Sequence, residues 1–408
     1  MKTARPDVQK FPTLQGMSRI QSIDVFRGFT IFMMVFVNDL AGVSGIPQWM
    51  KHMPADADAM TFVDVVFPAF LFIVGMSIPL AIRAREAHGD SIRAILLHVA
   101  IRTAGLVLLG VFMVNGEEMN REANLLAPRL WEFLLYVAII LIWNRYPKAE
   151  NNRKYLWWGL RIAGFVILFV LWQTFRKGET GALTGMTHSW WGILGLIGWA
   201  YLLAVLAYLL FRENPTAIAA VLALFIIMTL GLRSENIHLP AFLGWLKGQT
   251  GHLVHASLTI AGMLLAILFT DKTPADTPRK RIIWMVAVGI FALLAGYFLR
   301  PLHGISKIHA TPSWALFSIT ICCFIFPLIY WLVDVKGVSK WATFLEPAGK
   351  NPLLTYILPA LFFSIVGYSW MPEVLSSGGP GIVKSVVFAL FILWLAALLT
   401  RLRIRLQL

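Results

Sequence analysis

Apolar residues run along this chain in long blocks rather than in the narrow periodic faces of a soluble fold. Stretches of about 17 to 25 residues, the length that crosses a bilayer as a helix, lie near 24–43, 61–82, 94–114, 129–144, 155–175, 189–211, 216–232, 252–270, 282–299, 313–333, 352–369 and 382–400. Together they predict an all-α, polytopic transmembrane helical bundle of twelve spans, or eleven. The seventh and eleventh fit a re-entrant loop as well as a span. Only short polar segments separate the blocks, so the expected organisation is an N-terminal segment, residues 1–23, and a single transmembrane domain, residues 24–408. No internal repeat is evident, which disfavours the inverted-repeat transporters.

Composition agrees with that pattern: 58% of the 408 residues are hydrophobic and 14% charged, beyond the range of a soluble domain. The net charge of +14 suits nucleic acid only if it gathers in one stripe. It does not, because the basic residues fall in short loops between apolar blocks. Counted by side, 22 Lys and Arg lie with the N-terminus and 10 opposite. The positive-inside bias therefore puts both termini in the cytoplasm and the loop after the first span in the periplasm of a bacterial inner membrane. The polar start MKTARPDVQKFPTLQG lacks the apolar core of a signal peptide. Cys322 and Cys323 are adjacent within an apolar block, a spacing for neither zinc nor redox chemistry, and are read as packing residues.

Against this background the first two blocks are unusual, for they carry Asp24, Arg27, Asn38, Asp39 and Asp64. An ionisable group in hydrocarbon costs roughly 2.5–3.5 kcal/mol even on lenient insertion scales, so each is a candidate for function. Arg27 and Asn38 are eleven residues apart, which returns to nearly the same helix azimuth about 16 Å along the axis. One polar stripe thus joins a cation near one surface to an amide near the other. The loop between the two spans holds His52, whose ordinary pKa suits proton transfer near neutrality. Asp64 has Arg27, Arg102 and His52 as candidate partners, and Gly75 continues its helix face. Asp24 and Arg27 either form a local ion pair or leave Arg27 for a phosphate ligand.

The run SIDVFRGFTIFMMVFVN, then KH, then TFVDVVFPAFLFIVGMSI, resembles the heparan-α-glucosaminide N-acetyltransferase family, a lysosomal transmembrane enzyme and its bacterial relatives. The resemblance is close over Ser22–Ile78 and looser through GILGLIGWAYLL, ISKIHATPSWAL and GKNPLLTYILPALF. It implies a transmembrane acyltransferase that uses acetyl-CoA as acyl donor and an amino-sugar or glycan as acceptor. His52 matches the histidine that the family requires for acetyl transfer, acting either as base or as transient acetyl carrier. Asn38 matches the family's Asn after MVFV, placed to polarise the thioester carbonyl. Asp64 joins them as a candidate that orients the base. Asp39 departs from the animal enzyme's pattern.

The donor is then expected among basic cytoplasmic residues, with Arg27, Asp24, Arg19, Lys350 and Asn351 as candidates for binding it. The outer loops are rich in His and aromatic residues, and Asp39, His188, Lys307 and His309 are the candidates for holding the acceptor. Trp190 and Trp191 suit either sugar stacking or the interfacial belt. No GxxxxGK[ST], no GxGxxG between strand and helix, and no HExxH occurs, and the scattered histidines lack paired ligand spacing, so no metal is expected. The lipid bilayer is the remaining partner, a homodimer is an alternative to a monomer, and nucleic acid is excluded. A secondary transporter for a sugar or sugar conjugate is the rival reading, since twelve spans and Pro68, Pro79, Pro327 and Pro359 also suit a permease. It leaves the concentration of polar residues in the first two spans unexplained. A purely structural membrane protein leaves the buried charge unexplained as well.

Overall fold

A computed structural model of the chain describes residues 20–147, 153–179, 181–269, 275–367 and 372–407. Its helices are α1 (Gln21–Leu40), α2 (Val63–Ala87), α3 (Ile92–Glu117), α4 (Pro128–Trp143), α5 (Arg153–Thr174), α6 (Ile193–Phe211), α7 (Pro215–Arg233), α8 (Thr250–Ile267), α9 (Pro278–His303), α10 (Pro312–Tyr330), α11 (Glu346–Lys350), α12 (Pro352–Val366) and α13 (Gly378–Arg401). The described residues form no β-strand, only isolated bridges.

Helices cover all twelve stretches predicted from the sequence. Among the described residues nine are long and apolar enough to cross a membrane by themselves. The eleventh stretch is different: Lys340–Lys350 and Pro352–Val366 qualify only as a pair, bent by 78° at the break. Asn351 and Pro352 sit at that break, where proline disfavours helix in the residue before it. Neither α1, with its charges, nor α4, of 16 residues, is among the nine.

The bundle has a centre and a lipid-facing rim. The span ending in α8 is 78% buried, against 17% for α5 and for α7. Phe165, Phe169 and Trp172 of α5 and Phe291 and Phe298 of α9 point outward, as lipid-facing residues must where no water drives them inward. α2 packs along α8, α3 along α6, and α9 along α10, while α1 touches α2, α10, α11, α12 and α13. α1 therefore stands inside the bundle with its polar residues. Its free N-terminal amides are capped from far along the chain: Gln21 N and Ser22 N donate to the Asp334 carboxylate at 2.9 and 3.0 Å.

Candidate active site

The N-terminal turn of α2 supplies the anion at the centre of the first group. Asp64 is 1% exposed, yet its carboxylate is well partnered. Oδ1 lies 2.7 Å from His52 Nδ1, and Oδ2 accepts from Thr61 N at 3.0 Å and Met53 N at 3.3 Å. Three donors and a helix N-terminus offset the cost of burying the charge. Of the three candidate partners of Asp64, His52 is thus the one beside it. A carboxylate only accepts, so Nδ1 carries a proton, and it is Nε2 that offers the lone pair whenever the imidazole is neutral. Behind them, Trp314 Nε1 donates to the Asp64 carbonyl at 3.2 Å, and the His255 ring stacks edgewise on Trp314.

The loop that carries His52 is clamped to the loop between α9 and α10. Arg300 Nε donates to both Asp58 oxygens at 3.1 and 3.0 Å, Ile305 N donates to Oδ1 at 2.7 Å, and Ser306 Oγ donates to the Ala55 carbonyl at 2.9 Å. That clamp brings Lys307 to His52, its Nζ 3.2 Å from both ring nitrogens. Burial holds the pKa of Lys307 below that of an ordinary lysine, with the Asp64 carboxylate opposing the shift. An ammonium only donates, and at equal distance from both ring nitrogens it stands off the in-plane axis of the Nε2 lone pair rather than on it. His309 lies in the same turn, exposed, with its backbone held by Ser306 and Arg233.

A second group follows α1 through the bundle as three adjoining cavities. The first, of about 830 Å³, is lined by Arg27, Arg102, Arg145, Lys350 and Arg405, with no carboxylate among its lining residues. The second, of about 330 Å³, shares Phe70, Val74 and Arg102 with the first, and Ile31, Met34, Ile193 and Tyr356 with the third. The third, of about 670 Å³, contains Asn38, Asp39, Glu117, Glu132 and Lys384. The stripe from Arg27 to Asn38 is therefore a row of cavities, basic at one end and mixed in charge at the other.

Other candidates take plainer places. Arg27 reaches Asp24 at 3.1 Å, as a local pair would, but also Ser77 Oγ at 2.7 Å and the Gly349 carbonyl at 3.4 Å. Lys350 pairs with Glu346 at the surface and lines the basic cavity. Asn351, 1% exposed, is not a lining residue: its amide donates to Thr400 Oγ1 and the Ile404 carbonyl, and accepts from Leu406 N. Asp39 is ion-paired with Lys384 at 2.6 Å. His188 sits in an aromatic niche with Trp190 and Trp191, on a separate small cavity. His52 is not among the residues lining the three adjoining cavities, although its loop starts at the Asn38 end of α1. Arg19 lies outside the described residues. Sequence reasoning missed Arg145, Arg405, Glu132 and Tyr356. For Arg405 there was a signal, because basic and apolar residues alternate through RLRIRL at 401–406.

These features define a multi-pass helical membrane protein with an exposed histidine held by a buried carboxylate and a row of cavities through its bundle. The family model described as Domain of unknown function (DUF5009) matches residues 19–245, and the chain belongs to that family. It is also related to curated proteins named heparan-alpha-glucosaminide N-acetyltransferase. The Mus musculus protein is 34% identical over 414 residues, 89% of this chain and 57% of its own length. The Homo sapiens protein is 38% identical over 98 residues, 24% of this chain and 14% of its own length. The family resemblance drawn at Ser22–Ile78 is thereby borne out, while the chain spans little more than half of the longer match.

Proposed function

We propose that this protein is an integral-membrane acetyltransferase of the bacterial inner membrane, moving acetyl from cytoplasmic acetyl-CoA to the amine of a glucosamine-type sugar at the periplasmic face. The row of cavities is the observation that carries the reading. Its cationic end suits the phosphates of coenzyme A, and its length along α1, about 16 Å from Arg27 to Asn38, is comparable to the pantetheine arm. The thioester then lies at Asn38, whose side chain makes no hydrogen bond among the described residues and opens into the cavity.

In this reading the uncharged amine nitrogen attacks the thioester carbonyl carbon while the Asn38 amide donates to the carbonyl oxygen as it becomes negative. The intermediate collapses with loss of the carbon–sulfur bond, and coenzyme A leaves as thiolate. His52 Nε2 takes the proton released by the nitrogen and passes it to the thiolate, with Asp64 holding the imidazole throughout. Since His52 stands outside the cavity lining, the acceptor must enter from the loop side and bridge His52 and the thioester. Transfer of labelled acetyl from acetyl-CoA to glucosamine by purified protein tests the reading. Uptake of intact sugar into vesicles without transfer of label would replace it by the permease.

Two further outcomes are expected. Arg27→Ala should weaken acetyl-CoA binding about tenfold or more in monodisperse protein, since a hydrogen bond to a charged group contributes about 1.5–3 kcal/mol. Calorimetry that finds unchanged affinity would leave Arg27 only its contacts with Asp24, Ser77 and Gly349. The second concerns the proposed topology of twelve spans with both ends cytoplasmic. A cysteine replacing exposed Glu122 should react with a membrane-impermeant maleimide in spheroplasts, and one replacing exposed His88 should react only after lysis. The reverse pattern would put His52 in the cytoplasm.

A further inference from the structure

After α13 the chain does not simply leave the bundle. It reverses at Arg403, a non-glycine residue at φ +68, and runs back beneath α4. Arg145 N donates to the Arg405 carbonyl at 2.8 Å and Gln407 N to the Trp143 carbonyl at 2.9 Å, and Arg405 N donates to Asn144 Oδ1 at 2.9 Å. Asn351, at the break before α12, grips the same segment through Ile404 and Leu406. Leu406, 7% exposed, is the apolar anchor. This tail is therefore a fixed wall, and Arg405, Leu406 and Gln407 all line the basic cavity.

The antiparallel bridge of Asn144 with Leu406 sets Arg145 and Arg405 opposite one another. Like charges directly opposite are unfavourable in such a pair, and neither guanidinium has a carboxylate partner among the described residues. Both are exposed at the cavity mouth, whereas Arg27 lies deeper, between α1, α2 and α11. Further in, the buried Nε of Arg102 also has no hydrogen-bond partner. A cavity with five cations and no lining carboxylate calls for a ligand with several negative charges at one end.

We propose that the Arg145–Arg405 pair binds the ribose 3′-phosphate of the donor, so that the C-terminal tail selects coenzyme A thioesters over donors lacking that group. The assignment rests on the acetyl-CoA reading and deepens it. With the thioester at Asn38 and the diphosphate near Arg27 and Lys350, the ribose and its 3′-phosphate, the part of the donor beyond the diphosphate, fall at the mouth. A phosphate dianion between two guanidinium groups gains paired, charge-assisted hydrogen bonds.

Calorimetry of the full chain in detergent with coenzyme A and 3′-dephospho-coenzyme A tests this. Wild-type protein should prefer coenzyme A by about tenfold or more. In Arg145→Gln/Arg405→Gln the preference should vanish, with affinity for the dephospho form reduced far less than affinity for coenzyme A, and the retained binding of the dephospho form shows that the site is intact. Arg401→Gln removes one positive charge outside the cavity lining, as Arg405→Gln does within it, and should keep the preference. Should the double variant not purify, Arg405→Gln alone should show a reduced preference. No preference in wild type, a preference that survives loss of both arginines, or its equal loss in Arg401→Gln would overturn the assignment and leave the acetyl-CoA reading standing. Failure of wild-type protein to bind either compound would overturn both.

Discussion

Replacing His52 by alanine is expected to lower acetyl transfer to glucosamine about 10²–10⁴-fold, the usual cost of losing a general base, while acetyl-CoA binding stays within a few fold. The two readouts separate because His52 is not among the residues lining the row of cavities. Asp64→Asn is expected to be nearly as severe for a different reason. An amide also has N–H donors, and the three groups now aimed at the carboxylate, His52 Nδ1, Thr61 N and Met53 N, all donate. The substituted amide offers a single acceptor atom, so the Nδ1–H tautomer loses its anchor. Incubating wild-type protein with labelled acetyl-CoA and no sugar separates base from carrier. Label held on the protein through His52 marks a carrier, and its absence under conditions that preserve an acetyl-imidazole marks direct transfer. If His52→Ala retains near-normal turnover, the catalytic assignment fails and the family fold serves another chemistry here.

The parts of this picture legible in the sequence were those fixed by local spacing. Twelve apolar stretches could be read because a bilayer dictates the length of a helix, and the eleventh, which the structure bends at Asn351 and Pro352, reads as fitting a re-entrant loop as well as a span. His52 and Asp64 are only twelve residues apart on a short loop, so few geometries keep them from meeting. What could not be read were pairings across the chain. Asp39 reads as a candidate for holding the acceptor, and its counter-ion Lys384, 345 residues away, could not be read from the sequence. Likewise nothing in the loop after α1 announces that Asp58 binds Arg300, 242 residues on, or that this clamp delivers Lys307 to His52. The family resemblance named the histidine and the asparagine without giving their separation. In the structure one belongs to a clamped loop and the other to a cavity, and the acceptor is assigned the role of joining them.

Gly75→Leu is expected to prevent assembly of the bundle, and even Gly75→Ala to cost more than about 3 kcal/mol, at or above the upper end of ordinary overpacking. A Cβ on Gly75 would stand 1.8 Å from the Thr259 carbonyl oxygen, and one on Gly262 would stand 1.8 Å from the Phe72 carbonyl oxygen. The obstacle in each case is helix backbone, which no rotamer change can move aside. α2 and α8 thus approach through a reciprocal pair of glycines, the means by which membrane helices gain close van der Waals contact where no hydrophobic effect drives them together. The seam bears on function because Gly75 shares a helix face with Asp64, eleven residues earlier. Prising α8 away would shift the carboxylate that holds His52. Gly159 provides the control: it lies within α5 with nothing within 4 Å of its added Cβ, so Gly159→Ala should leave stability unchanged or raise it by about 0.5–1 kcal/mol. Thermal unfolding in detergent followed by size-exclusion chromatography measures both. Equal melting temperatures for Gly75→Ala and Gly159→Ala would mean that the α2–α8 seam is looser than the structure places it, and that the support it lends to Asp64 is absent.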